Sequence, residues 1–101
     1  MLNQNFHEKV VLKSSQLTPV SSPCDGVERT LLERNENSEY AISTTIVEFK
    51  PNSFFSEHVH DSGEELFVLE GTLSDEFGDY PAGTYIRNPH NTKHSPFSKN
   101  G

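Results

Sequence analysis

The chain has few of the residues that anchor several protein classes: its 101 residues include one cysteine, one methionine and no tryptophan. Because Cys24 stands alone, the chain can form no internal disulfide and offers no cysteine-based zinc pattern. Its longest apolar run is four residues, 66–69, whereas a membrane span needs about 20. The first eight residues lack the basic and apolar regions of a signal peptide. These absences predict a cytoplasmic protein with no membrane partner.

Positive charge is missing from the middle of the chain. The formal net charge is -7, and residues 51–86 contain eight acidic residues and no Lys or Arg. Nucleic acid is not expected as a partner, because phosphate binding needs clustered positive charge. A bound cation suits this acidic segment better. Its acidic residues are Glu57, Asp61, Glu64, Glu65, Glu70, Asp75, Glu76 and Asp79.

The chain also lacks helical periodicity. Hydrophobic residues make up only 32% of it, and clusters of Gly, Pro and Asn recur about every 8–12 residues, which is typical of short strands joined by turns. This pattern predicts an all-β sandwich or barrel. We expect a single domain over residues 1–101, in which 1–26 form an N-terminal strand and loop and 27–101 form the barrel.

The strand predictions follow from β-branched and aromatic residues between turn signals. In 64–69 both alternating sets contain apolar residues, so we expect both faces of this strand to be covered, by a second sheet or a second subunit. Segment 72–77 is expected to pair back on it across Gly71. The predicted strands are 10–12, 27–34, 40–50, 54–60, 64–69, 72–77 and 84–87, and the predicted loops or turns are 16–26, 35–38, 61–63, 78–83 and 88–93.

Two histidines carry the first chemical signal. His58 and His60 are two residues apart in a predicted strand, so their side chains are expected on the same side. Two imidazoles held in this way can bind one metal ion. An isolated pair of this kind is also compatible with a solvated strand face.

Other potential ligands lie close by in sequence. A turn at 61–63 can return the chain so that a carboxylate reaches the two histidines, and periodicity alone does not decide between Glu64 and Glu65. A further imidazole can come from His90 or His94. Three imidazoles and one carboxylate suit Zn, Fe, Mn, Ni or Cu.

The segments 54–71 and 75–98 carry a family resemblance. The first reads His-x-His, three residues, Glu, six residues, Gly, and resembles the first cupin motif. The second, ending in His94-Ser95-Pro96-Phe97-Ser98, resembles the second motif of the cupin domain of ChrR-type anti-sigma factors and their stand-alone relatives. The resemblance spans residues 51–101. It implies a small cupin jelly roll, a double-stranded β-helix, with one divalent transition metal ion.

The resemblance also implies a ligand set: His58, His60, Glu64 and His94. Zinc is the first expectation for the ion, with Fe, Mn or Ni as alternatives. Similar domains either sense an oxidant or small molecule, or act as dioxygenase-type enzymes on dicarbonyl or hydroxyketone compounds. A metal kept only for structure is a third possibility. Few residues offer general acid or base chemistry, so the sequence favours a module that binds or senses a small-molecule ligand.

The chain departs from ChrR-type regulators at both ends. Residues 1–50 lack the Cys and His ligands of the separate zinc-bearing domain that grips the sigma factor, so a sigma factor is not expected as a partner. The chain stops at Gly101, where the family usually continues into at least one further strand. The expected barrel is therefore one strand short. Either the sequence is a truncated product or a neighbouring subunit covers the open edge, and we expect a homodimer.

Overall fold

The structure, a computed structural model, describes residues 2–35, 42–56, 58–60 and 62–101, with residues 58–60 described by their backbone alone. These residues form short strands joined by turns, with a single turn of 3₁₀ helix at Ser14–Gln16. The described residues contain no helix that is long and apolar enough to cross a membrane. The strands are β1 Val20–Ser21, β2 Val27–Arg34, β3 Ser43–Phe49, β4 Ser53–Phe54, β5 His58–His60, β6 Glu64–Phe67, β7 Thr72–Asp75, β8 Gly78–Pro81, β9 Tyr85–Asn88, β10 Thr92–His94 and β11 Phe97–Ser98.

The strands pair antiparallel in four groups. A three-stranded sheet has the order β1-β2-β3, a four-stranded sheet has the order β4-β11-β7-β8, and two further ladders pair β5 with β10 and β6 with β9. Within the described ranges these groups do not close into a single barrel. The prediction of an all-β fold is confirmed.

The long hairpin predicted near the N-terminus is confirmed in both arms. β2 pairs with β3 from Val27↔Phe49 to Arg34↔Ser43, and the register shifts between Leu31 and Glu33. The hairpin forms because the second arm is rich in β-branched residues, which pack well on a pleated surface. The predicted turn at 35–38 falls largely on residues outside the described ranges.

Several local predictions are wrong. Residues 10–12 form no strand, and Val11 is 72% exposed. The loop predicted over 16–26 contains β1, which pairs with β2 through Val20↔Arg29. The segments predicted as a turn at 78–83 and a loop at 88–93 contain β8 and β10. In each case the partner strand decides, since a short segment with weak propensity becomes a strand when a neighbour satisfies its backbone groups.

The predicted pairing of the strands that follow the β2–β3 hairpin is also wrong. β7 pairs with β8 and β11 rather than with β6. β5 and β6, expected to lie side by side across the turn at 61–63, instead pair with β10 and β9. The chain thus crosses between ladders after β5 and after β6, as sandwich topologies do.

The interior is small and largely polar. Val27 and Val68 are the buried hydrophobic residues of the described chain, and the buried polar residues are Ser53, Ser74, His94 and Ser98. Phe67 and Leu69 are 60% and 64% exposed, so the expectation that both faces of segment 64–69 are covered is not met within one chain. The fold rests more on its ladders and polar contacts than on an apolar core.

Two glycines with positive φ provide a matched test of the crossover between β5 and β6. Gly63 has φ +80, and a Cβ there would lie 2.9 Å from the Asn88 carbonyl oxygen and 3.0 Å from the His90 nitrogen. Gly83 has φ +91, and nothing lies within 4 Å of its Cβ position. We expect Gly83→Ala to lower the free energy of unfolding by about 1–2 kcal/mol through backbone strain alone. Gly63→Ala should lower it further, because the backbone at 88–90 must move.

Urea unfolding of both variants beside the unsubstituted protein measures this difference. Equal losses in the two variants would contradict the close packing of Gly63 against the segment between β9 and β10.

Candidate metal centre

The backbone of β5 lies directly beside that of β10. His58 is the register partner of His94, and His60 is the partner of Thr92. The side chains of His58 and His60 lie outside the described residues, so their assignment as ligands stays a prediction. The ladder nevertheless brings three of the five histidine backbones of the chain to one place.

Glu64 and His94 meet at the centre of the site. The Oε1 atom of Glu64 lies 2.7 Å from Nε2 of His94, and the two side chains are 19% and 5% exposed. Glu64 begins β6, and its register partner in β9, Asn88, donates a hydrogen bond of 2.9 Å from Nδ2 to the same Oε1. The contact therefore links the β6–β9 ladder to the β5–β10 ladder.

Glu65 and His90, the sequence-based alternatives to Glu64 and His94 as ligands, have other contacts. Glu65 is 64% exposed, forms an ion pair of 3.4 Å with Arg87 and accepts a hydrogen bond of 2.8 Å from the Tyr85 hydroxyl. The hydrogen bond to Tyr85 and the nearby Glu65 carboxylate raise the pKa of Arg87 above its ordinary value. His90 is exposed, and its Nε2 lies 3.5 Å from Nδ2 of the Asn91 side chain.

Sequence reasoning missed Asp75, which approaches His94 from the other side. Its Oδ2 lies 3.9 Å from Nδ1 of His94, and its side chain is only 6% exposed. Its Oδ1 accepts hydrogen bonds from the Phe77 amide at 2.8 Å and the Tyr80 hydroxyl at 3.0 Å. Burial and this carboxylate raise the pKa of Tyr80. In the sequence, Asp75 is one of the eight acidic residues of segment 51–86. Its position in that segment was the only sign that it could belong to a cation site.

The neighbouring Glu76 ties the same turn to the end of β10. Its Oε1 accepts a hydrogen bond of 2.9 Å from the Ser95 amide. This hydrogen bond lowers the pKa of Glu76 below its ordinary value. The β7–β8 turn is thereby attached to the residue that follows His94.

Glu64 and His94 have side chains of the types that bind transition metal ions. A buried imidazole nitrogen and a carboxylate oxygen 2.7 Å apart are close enough to bind the same divalent ion, and both are common ligands of Zn and Fe. Among the side chains that the structure describes, no group of three or more His, Cys, Asp or Glu is arranged to hold a metal. Of the four predicted ligands, the described side chains bring together Glu64 and His94.

An apolar groove begins beside the site. Its volume is about 530 Å³, which is in the range of small-molecule sites. Three aromatic rings line it, from Phe54, Phe55 and Phe97, together with Ser95, the residue after His94, and Lys99.

Comparison with known proteins places the chain in a family. No curated protein matches it. A family model described as the ChrR cupin-like domain matches residues 7–101, which is nearly the whole chain. The nearly all-β architecture agrees with a cupin β-sandwich. The chain therefore belongs to the ChrR cupin-like family.

Proposed function

We propose that this protein is a metal-binding cupin in which His58, His60, Glu64 and His94 hold one divalent transition metal ion, zinc first among the candidates. The observation that carries the proposal is the contact of 2.7 Å between Glu64 and His94. A buried imidazole and a largely buried carboxylate at this distance are costly to desolvate unless they pair or share a cation. A metal ion satisfies both at once.

The register of β5 and β10 supports adding the other two histidines. Opposite residues in an antiparallel pair lie on the same side of the ladder, and so do alternate residues along one strand. Since His94 is the partner of His58, positions 58, 60 and 94 share one side. Glu64 reaches His94 from a different ladder, which supports a site built from three strands, β5, β6 and β10.

The bound ion serves, in this proposal, to bind or sense a small molecule or an oxidant. The groove lined by Phe54, Phe55 and Phe97 begins one residue beyond His94, so a ligand in the groove can influence the metal through Ser95. The strongly acidic segment around the site argues against nucleic acid as the ligand, because phosphates would be repelled. An uncharged or weakly acidic aromatic molecule fits the lining better.

A dioxygenase-type enzyme acting on a dicarbonyl or hydroxyketone compound is the alternative. It is favoured by the partial exposure of Glu64, which is 19%, because such an enzyme needs a metal position that oxygen and substrate can reach. The ion would then supply Lewis-acid chemistry and a template for the substrate. We expect oxygen consumption by the iron-loaded protein with a panel of diketones to stay at the level of free iron. Turnover above that level, abolished in His94→Ala, would establish the enzyme instead.

Metal content tests the central proposal. Protein purified without added metal should contain about one equivalent of a transition ion. Glu64→Gln and His94→Ala should each weaken binding by at least about tenfold, since each removes a ligand. His58→Ala and His60→Ala should do the same. Elemental analysis and competition with a chelator measure both quantities.

Glu65→Gln and His90→Ala are the matched controls, because they make the same chemical changes at exposed neighbours. Both should retain the metal. Unsubstituted protein that neither contains nor takes up a transition ion would refute the proposal. If chelation lowers the melting temperature but leaves ligand binding intact, the metal is structural only.

We also propose that the protein is a homodimer that uses the exposed face of the β6–β9 ladder. Phe67 and Tyr85 are register partners, 60% and 51% exposed, and the next pair on this face is Glu65 and Arg87. A two-fold axis parallel to the strands and midway between β6 and β9 would set each copy's Glu65 against the other copy's Arg87, so the face is complementary to itself. Its exposed aromatic residues are typical of an interface.

We expect Phe67→Ser to convert the dimer into a monomer, because it removes the central apolar contact of this face. Phe77→Ser is the matched control, since Phe77 is 76% exposed at the turn between β7 and β8, which belong to a different sheet. Light scattering coupled to gel filtration gives the mass of each variant. A monomeric unsubstituted protein, or a dimer that survives Phe67→Ser, would exclude this interface.

A further inference from the structure

We propose that Asp75 is a positioning residue for the metal ligand His94: it holds the imidazole through Nδ1, so that Nε2 is presented to the metal. The inference rests on the proposed metal site and extends it by a residue that lies outside the predicted ligand set.

The His94 ring lies between two carboxylates. Its Nε2 is 2.7 Å from Oε1 of Glu64, and its Nδ1 is 3.9 Å from Oδ2 of Asp75. The ring itself is 5% exposed, so water has little access to either nitrogen. Each ring nitrogen therefore has its own carboxylate, and only the one at Nε2 belongs to the predicted ligand set.

The orientation of Asp75 is held by other contacts. Its Oδ1 accepts both the Phe77 amide and the Tyr80 hydroxyl, at 2.8 and 3.0 Å. A carboxylate that is 6% exposed is costly to bury unless its oxygens are satisfied. With Oδ1 committed to two donors, Oδ2 is left to face His94.

Such an arrangement is what a metal-ligating imidazole requires. A carboxylate at the second ring nitrogen fixes the tautomer and the ring orientation and raises the basicity of the ligating nitrogen. The separation of 3.9 Å is longer than a direct hydrogen bond, and a ring movement of about 1 Å closes it.

The surrounding backbone makes this geometry rigid. Asp75 ends β7 inside the four-stranded sheet, with Gly78 as its register partner. The adjacent Glu76 accepts a hydrogen bond from the Ser95 amide, which fixes the turn against the residue after His94. The residue after Asp75 is therefore hydrogen-bonded to the residue after His94, which ties the backbone at the carboxylate to the backbone at the ring.

Asp75→Asn tests the inference, with Asp79→Asn as its matched control. Each change removes one negative charge from the same hairpin and leaves an acceptor oxygen in place. Asp79 accepts a hydrogen bond of 2.6 Å from the Ser74 hydroxyl, whereas Asp75 faces His94. Titration with Co²⁺ reports affinity, and the visible absorption of the bound Co²⁺ reports the geometry of its ligands.

We expect Asp75→Asn to bind Co²⁺ about 10–100-fold more weakly than the unsubstituted protein and to show an altered Co²⁺ spectrum at saturation. Asp79→Asn should keep both the affinity and the spectrum. Without metal, Asp75→Asn and Asp79→Asn should have the same melting temperature. If Asp75 only stabilised the fold, Asp75→Asn would melt at a lower temperature than Asp79→Asn. Tyr80→Phe, which removes one of the donors that hold Asp75, should weaken binding by a smaller factor.

The outcomes separate this inference from the proposed function. Equal affinities and spectra for Asp75→Asn and Asp79→Asn overturn the role of Asp75 and leave the metal site intact. Failure of the unsubstituted protein to bind Co²⁺ overturns the metal site and this inference with it. If Asp75→Asn does not fold, Tyr80→Phe decides, and an unchanged Co²⁺ affinity in that variant overturns the inference.

Discussion

The contact between Glu64 and His94 joins two ladders that share no strand. Glu64 begins β6, which pairs with β9, and His94 ends β10, which pairs with β5. Their side chains meet at 2.7 Å, largely shielded from water. In the described part of the chain, this side-chain contact links the two ladders directly. Gly63 of the crossover directly precedes Glu64, and Ser95 of the apolar groove directly follows His94, so the crossover and the groove both adjoin this contact.

A polar link of this kind matters more here than in most domains, because the apolar interior is so small. Only Val27 and Val68 are buried hydrophobic residues in the described chain, while three serines and a histidine are buried with them. A ligand that binds only the folded state adds stability in proportion to the logarithm of its concentration over its dissociation constant. The proposed ion would therefore serve the fold as well as the site, and it would offset part of the net charge of -7.

The elements that could be predicted are those set by local pattern. The arm 27–34 begins and ends where β2 does, since β-branched residues and flanking turns act over a few residues. Strand pairing beyond the β2–β3 hairpin could not be predicted in the same way. Segment 72–77 was expected beside 64–69 but pairs with β8 and β11, and residues 10–12 have strand composition without a partner strand. Pairing is a contact between distant parts of the chain, which propensity does not encode.

The sequence by itself determined the chemistry that is possible: the spacing of His58, His60, Glu64 and His94, the acidic segment around them, and the all-β class. Tertiary structure alone decided which side chains meet. Glu64 and Glu65 are equivalent by periodicity, yet Glu64 reaches His94 while Glu65 pairs with Arg87 on the outer face. Asp75 reaches the opposite nitrogen of the same ring. Spacing along a strand determines only the face of the sheet on which a side chain lies. Whether two side chains on different ladders come into contact depends on how those ladders pack against each other.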